Sequence, residues 1–142
     1  MHKMKIMPLF DKNSMLYSIF YNKCPHCHEG DFFEDPNPYH FSKLTKMYKK
    51  CPVCGQSYTP ETGFYFGAAY VSYAISVAIF VTVWVATEVL APDNFPVEYE
   101  IGLILSAIIV LFPLNYRLSR LIWANWFIKY DPNASKVVSA KK

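Results

Sequence analysis

TGFYFGAAYVSYAISVAIFVTVWVAT, residues 62–87, is a run of 26 residues without one charged side chain, bounded by Glu61 and Glu88. As a helix it would be about 39 Å long at about 1.5 Å per residue, enough to cross a hydrocarbon core of about 30 Å with some tilt. A buried soluble helix can carry the same composition. A chain of 142 residues has little other protein with which to wrap one. A transmembrane helix is therefore expected here. The composition agrees, at 53% hydrophobic and only 18% charged.

A second uncharged run, IGLILSAIIVLFPLNY, covers 16 residues from Ile101 to Tyr116. Tyr99 before it and Leu118 beyond Arg117 extend it, because an arginine near a helix end can snorkel to the headgroups. Pro113 is expected to kink or end this helix near its final turn. The first ten residues, MHKMKIMPLF, lack a long apolar core and a small-residue cleavage site, so no cleavable signal peptide is expected. Residues 1–61 carry eight Lys or Arg and residues 117–142 carry six, whereas the loop 88–100 carries none. That imbalance is expected to place both termini in the cytoplasm, as a multi-pass protein with a short loop on the far side.

All four cysteines precede the first span: Cys24, Cys27, Cys51 and Cys54, in the pattern C-x2-C-x23-C-x2-C. Two intervening residues let both thiolates of a pair face one ion, and two such knuckles complete a tetrahedron. In CPVCG, Pro52 sits in the turn and Gly55 follows it, where a positive φ is often needed. In CPHCHEG, Pro25 matches, but His28 stands where the glycine would be and Gly30 comes two residues later. Cys-Pro-His-Cys also resembles the active site of thioredoxin-fold thiol oxidases. Those require a βαβ framework with the first cysteine at a helix N-terminus, for which this segment is too short. A reducing compartment and a second C-x-x-C also weigh toward metal.

Four thiolates suit zinc, which would tie together a module lacking a large hydrophobic core. The alternative is iron, since C-P-x-C-G is also a knuckle of rubredoxins, which carry single electrons. His26 and His28 are expected to be exposed bystanders, and His2 and His40 have no partner pattern. The spacer, with Pro36 and Pro38, reads as short strands or loops. Nothing in it supplies a nucleophile, a general base or an open metal position, so an interaction module and not an enzyme is expected, with no small-molecule substrate. Lys43, Lys46, Lys49 and Lys50 are expected to face anionic lipid more than nucleic acid.

Four segments follow: an amphipathic N-terminal segment at 1–22, a four-cysteine zinc ribbon at 23–61, a two-helix transmembrane hairpin at 62–116, and an interfacial helix with a loose tail at 117–142. Ala74, Ala78, Thr82 and Ala86 form a small-residue stripe, which is expected to pack on Gly102 and Ser106 within the hairpin. Trp123 and Trp126 suit a helix lying along the bilayer surface. Neither uncharged run holds the ionisable group a transporter needs, which argues against transport.

The motifs CPHCHEGDFF, CPVCGQSY, ETGFYFGAAYVSYA and RLSRLIW, across roughly residues 14–130, resemble a bacterial membrane family known as domain of unknown function 983. His28 departs from its usual glycine. The resemblance implies a small metal-bound module on a membrane hairpin. Through gene neighbourhoods it also implies an accessory or assembly role at a respiratory complex, cytochrome oxidase. The aromatic residues Phe64, Tyr65, Phe66, Tyr70 and Tyr73 are expected near the cytoplasmic interface.

Overall fold

The computed structural model describes residues 11–136; His2 and the first part of the N-terminal segment lie outside them. Among the described residues the named α-helices are, in order, α1 (Met15–Phe20), α2 (Phe66–Leu90) and α3 (Val97–Phe127), with a 3-10 turn at Phe41–Lys43. The architecture is a four-cysteine module seated on a hairpin of two long apolar helices.

Local chemistry sets the helix ends. Ser14 caps α1, its hydroxyl accepting the Leu16 N–H at 3.3 Å. A glycine turn precedes α2, with Gly63 at φ +77 and its carbonyl accepting the Phe66 N–H at 3.0 Å. Pro92 follows the C-cap Ala91, and Pro96 caps α3, whose first turn holds Glu98 and Glu100 where a helix N-terminus favours anions. The Thr87 hydroxyl, 3.0 Å from Glu100 Oε1, joins the two helices across the loop.

Both long helices are long and apolar enough to cross a membrane. Only 6% and 11% of their most apolar windows are buried. A soluble core helix would be mostly covered, and these two are not.

The hairpin packs on a different face from the one expected. Ala74, Ala78, Thr82 and Ala86 are exposed, Ser106 is exposed, and nothing lies within 4 Å of where a Gly102 Cβ would sit. The contact face instead carries Ser72, Ser76 and Ile79 of α2, half-buried, against buried Asn115 of α3. The Asn115 amide donates to the Ser72 carbonyl at 3.2 Å and to the Ser76 hydroxyl at 2.9 Å. Small residues lie on more than one face of α2, and the face whose polar groups meet a partner turns inward, since an unpaired polar group is costly to bury in an apolar setting. At the other end Gly67 permits close approach: a Cβ there would lie 2.0 Å from the Trp123 ring.

Pro113 does not end the helix. It is buried inside α3, which continues unbroken to Phe127. One lost N–H bond is tolerated where neighbouring segments hold the helix in place. At 31 residues, α3 is about 46 Å long, exceeding a hydrocarbon core by about 16 Å. The excess does not lie along a surface as an interfacial helix: Leu121, Ala124 and Ile128 are buried in the core of the cysteine module with Ile19, Phe32, Phe33 and Tyr58. Nor is the described part of the tail loose, since Ala134 is buried in that same core. The boundary drawn at residue 116 therefore cuts through one helix, whose first part joins the hairpin and whose last part supports the module.

Candidate metal centre

Each cysteine pair sits at the tip of a small β-bridged loop. The bridges are Lys23 with Asp31 and Lys50 with Ser57, and a third joins Phe33 to Met47; no longer strand forms among the described residues. Within the loops the backbone bonds run in parallel. His28 N–H donates to Cys24 O at 2.9 Å and Gly55 N–H to Cys51 O at 3.0 Å. Closure then differs by one residue, with Cys24 N–H bonded to Gly30 O and Cys51 N–H to Gln56 O. His28 and Gly55 thus occupy one structural position, and both are left-handed, at φ +57 and +75. The position does require that conformation, and His28 adopts it at a cost of about 1–2 kcal/mol.

The four Sγ atoms lie within 4.8 Å of one another. Cys24 Sγ is 3.8 Å from Cys54 Sγ, and Cys27 Sγ is 3.7 Å from Cys51 Sγ. A tetrahedral ion with metal–sulfur bonds near 2.3 Å has sulfur–sulfur edges of about 3.8 Å. The donor set therefore fits a tetrahedral thiophilic ion. The sulfurs also receive backbone N–H groups: His26 N lies 3.4 Å from Cys24 Sγ, and Val53 N and Cys54 N lie 3.4 and 3.5 Å from Cys51 Sγ. Such donors orient thiolate ligands and spread their charge.

Among themselves the sulfurs hold their protons unevenly. Hydrogen bonding with Cys27 and then Cys51 pushes the Cys24 thiol far up, whereas hydrogen bonding with Cys24 and Cys27 brings Cys51 far down. Burial pushes Cys54 up to about 12. A cation held by Cys24, Cys27, Cys51 and Cys54 would supply the charge that lets all four ionise together.

The shell around the sulfurs includes residues that spacing alone could not pick out. A Cβ on Gly30 would lie 2.3 Å from Cys51 Sγ, so this glycine is required by space. Tyr58 is fully buried, and its hydroxyl donates to Asp31 O at 3.0 Å. Burial, and then its contacts with Cys51 and Cys24, push its phenol up, so it stays neutral beside the sulfurs. Tyr58 was visible only as a member of a longer motif, and Gly30 was noted for its place after the first knuckle without its contact with Cys51.

The histidines depart from expectation, for neither is a free surface group. His28 is 1% exposed, and its Nδ1 donates to Lys12 O at 2.6 Å. Its ring stacks on Tyr130 at 4.0 Å between centroids, and burial lowers its pKa, keeping it neutral. His26 Nδ1 donates to Lys129 O at 2.8 Å, and His26 O accepts the Asp131 N–H at 2.8 Å. The first knuckle is thus clamped by segments from both sides of the sequence. His40 pairs with Asp35 at 2.6 Å, away from the sulfurs. Of the aromatic run, Phe64 and Tyr65 turn inward, and Phe66, Tyr70 and Tyr73 are exposed along one outer face of α2.

A family model described as "Protein of unknown function (DUF983)" matches residues 41–126. The chain belongs to this family. The matched region holds Cys51, Cys54 and both long helices, and is narrower than the 14–130 suggested by resemblance; Cys24 and Cys27 lie upstream and join the site through the fold. No curated protein and no solved structure matches the chain.

Proposed function

We propose that this protein is an integral bacterial inner-membrane accessory or assembly factor, working by binding a partner and not by catalysis. Its ribbon would lie on the cytoplasmic side, with both termini there and α2 and α3 spanning the bilayer. Zinc is the ion that Cys24, Cys27, Cys51 and Cys54 would hold.

One observation carries this reading: the four sulfurs form a complete tetrahedral donor set inside the core that the module shares with the last turns of α3. A closed set of this kind fastens a fold and leaves no position for a substrate. Zinc bound there would neutralise the thiolates and cross-link the two knuckles beneath the hairpin. The respiratory part, with cytochrome oxidase as the partner complex, is supported by the association that the family resemblance carries.

Iron in the same sulfurs, serving electron transfer, is the second reading. It is favoured by the backbone N–H groups on Cys24 and Cys51 sulfur, which are what tunes such a centre.

Full-length protein purified in mild detergent tests both. The expected result is one zinc per chain and no visible absorption. A red protein that bleaches on reduction selects iron. No stoichiometric metal, with every thiol open to alkylation, would sink the metal centre altogether. Affinity purification of the tagged chain should bring down respiratory-complex subunits, and a reporter fused after Lys142 should be active only in the cytosol.

A further inference from the structure

We infer that Arg117 forms a binding site for the phosphate of an anionic phospholipid, between α1, the Pro36–Pro38 loop and α3. This rests on the membrane reading above and adds a specific ligand site to it.

Arg117 is only 5% exposed. Its Nη1 donates to the Asp35 carbonyl, and its guanidinium lies over the Phe33 ring at 4.7 Å. Those contacts use one nitrogen and one face. Nε and Nη2 are buried with no hydrogen-bond partner. The carboxylate of Asp35 does not serve them, because it is engaged by the Asn37 N–H at 2.9 Å and by His40 at 2.6 Å. A buried guanidinium edge with two unused donors is complementary to an oxyanion, and phosphate is the geometry that such a fork takes in pairs.

The surroundings say which phosphate. Arg117 lines a cavity of about 200 Å³ whose other walls include Ile19, Pro36, Pro38, Leu114 and Leu118. Apolar walls around a single cation suit an amphiphile and do not suit a free, fully hydrated ion. Arg117 also sits twenty residues into α3, about 30 Å from its start, which is the thickness of the hydrocarbon core. On the membrane reading this is the level at which headgroup phosphates begin. Exposed Lys43, Lys46, Lys49 and Lys50 on the neighbouring module would enrich anionic lipid at that surface. Binding would turn the guanidinium off Phe33 so that Nε and Nη2 face the phosphate, with the acyl chains along Leu114 and Leu118.

The test is native mass spectrometry of the full-length protein from micelles doped with phosphatidylglycerol, phosphatidylcholine or inorganic phosphate. Wild type should retain one phosphatidylglycerol, with retention of phosphatidylcholine about tenfold lower and no displacement by millimolar phosphate. Arg117→Gln should lose about tenfold of the retention, and Arg117→Lys should fall between, since an ammonium cannot offer the paired fork. Leu114→Trp, which fills the cavity and keeps the guanidinium, should also lose the lipid and so decides the matter if Arg117→Gln fails to fold. Equal retention of both lipids, displacement by phosphate, or retention unaltered in folded variants overturns the site. Carbonate extraction of membranes, run alongside, tests the membrane reading by itself: a chain that resists extraction yet holds no lipid refutes only the Arg117 site.

Discussion

The two cysteine knuckles share one backbone plan and differ in what surrounds them. In the first, Cys24, Pro25, Cys27 and His28 are all buried, and Lys12, Lys129 and Tyr130 close over it. In the second, Pro52 and Gly55 are exposed and Cys54 is only half-buried. The second knuckle takes its shape from its own glycine, whereas the first takes it from tertiary contacts that hold a histidine in a glycine's conformation. The family match begins between them, at residue 41. A self-contained turn is readable as a local motif, and a turn held by distant residues need not follow the motif. It also leaves the second knuckle as the accessible face of the metal centre.

The largest effect should come from the ligands themselves. Structural zinc contributes about 10–16 kcal/mol of apparent folding free energy in small four-ligand modules. Cys24→Ser removes a ligand from the fully buried half and should release the metal and expose Leu121, Ala124 and Ile128, read as faster amide exchange over the end of α3. Chelation of wild type should do the same. Cys54→Ser, at the half-buried rim, should weaken metal binding yet leave more of that protection. Equal loss in both variants would erase the distinction between the knuckles. Next comes Gly30→Ala. Its Cβ would meet Cys51 Sγ at 2.3 Å, so the two knuckles must separate. A drop of about 10–100-fold in metal affinity is expected, measured by competition with a chromogenic chelator.

Much of this was legible in the sequence. C-x2-C-x23-C-x2-C identified the four sulfurs because ligand spacing is local geometry, and the uncharged run at 62–87 identified α2 because a bilayer sets a length. What escaped was decided by long-range packing. Trp123 read as an interfacial residue, yet the last turns of α3 form part of the core of the module, with Trp123 donating to Phe64 O at 2.7 Å. The packing face of α2 was misplaced because small residues occur on more than one of its faces, and only Asn115, 39 positions from Ser76, chooses between them. His28 read as exposed because a histidine beside a knuckle usually is; its burial depends on Tyr130, at the far end of the sequence.

His28 itself gives the third prediction. His28→Ala keeps the left-handed backbone and loses the bond to Lys12 and the stack on Tyr130, for about 1–3 kcal/mol from one hydrogen bond and one aromatic pair. His28→Gly loses the same contacts but relieves about 1 kcal/mol of backbone strain, so it should be the more stable of the two. Neither should change metal stoichiometry, because His28 is not a ligand. Denaturant titration of the metal-loaded protein measures both, and loss of metal in either variant would mean that the first knuckle depends on this ring for its ligand geometry.

The smallest effect is expected at the matching position of the other knuckle. Gly55 is at φ +75 with nothing within 4 Å of where a Cβ would sit, so Gly55→Ala meets no neighbour and costs only backbone strain, about 1 kcal/mol. Its metal affinity should stay close to wild type. The contrast with Gly30→Ala is the sharpest check on the geometry, since one glycine is required by space and the other by conformation. If Gly55→Ala instead matched Gly30→Ala in metal loss, the second knuckle would have to be gripped from outside as tightly as the first, and the asymmetry between the two halves of the site would fail.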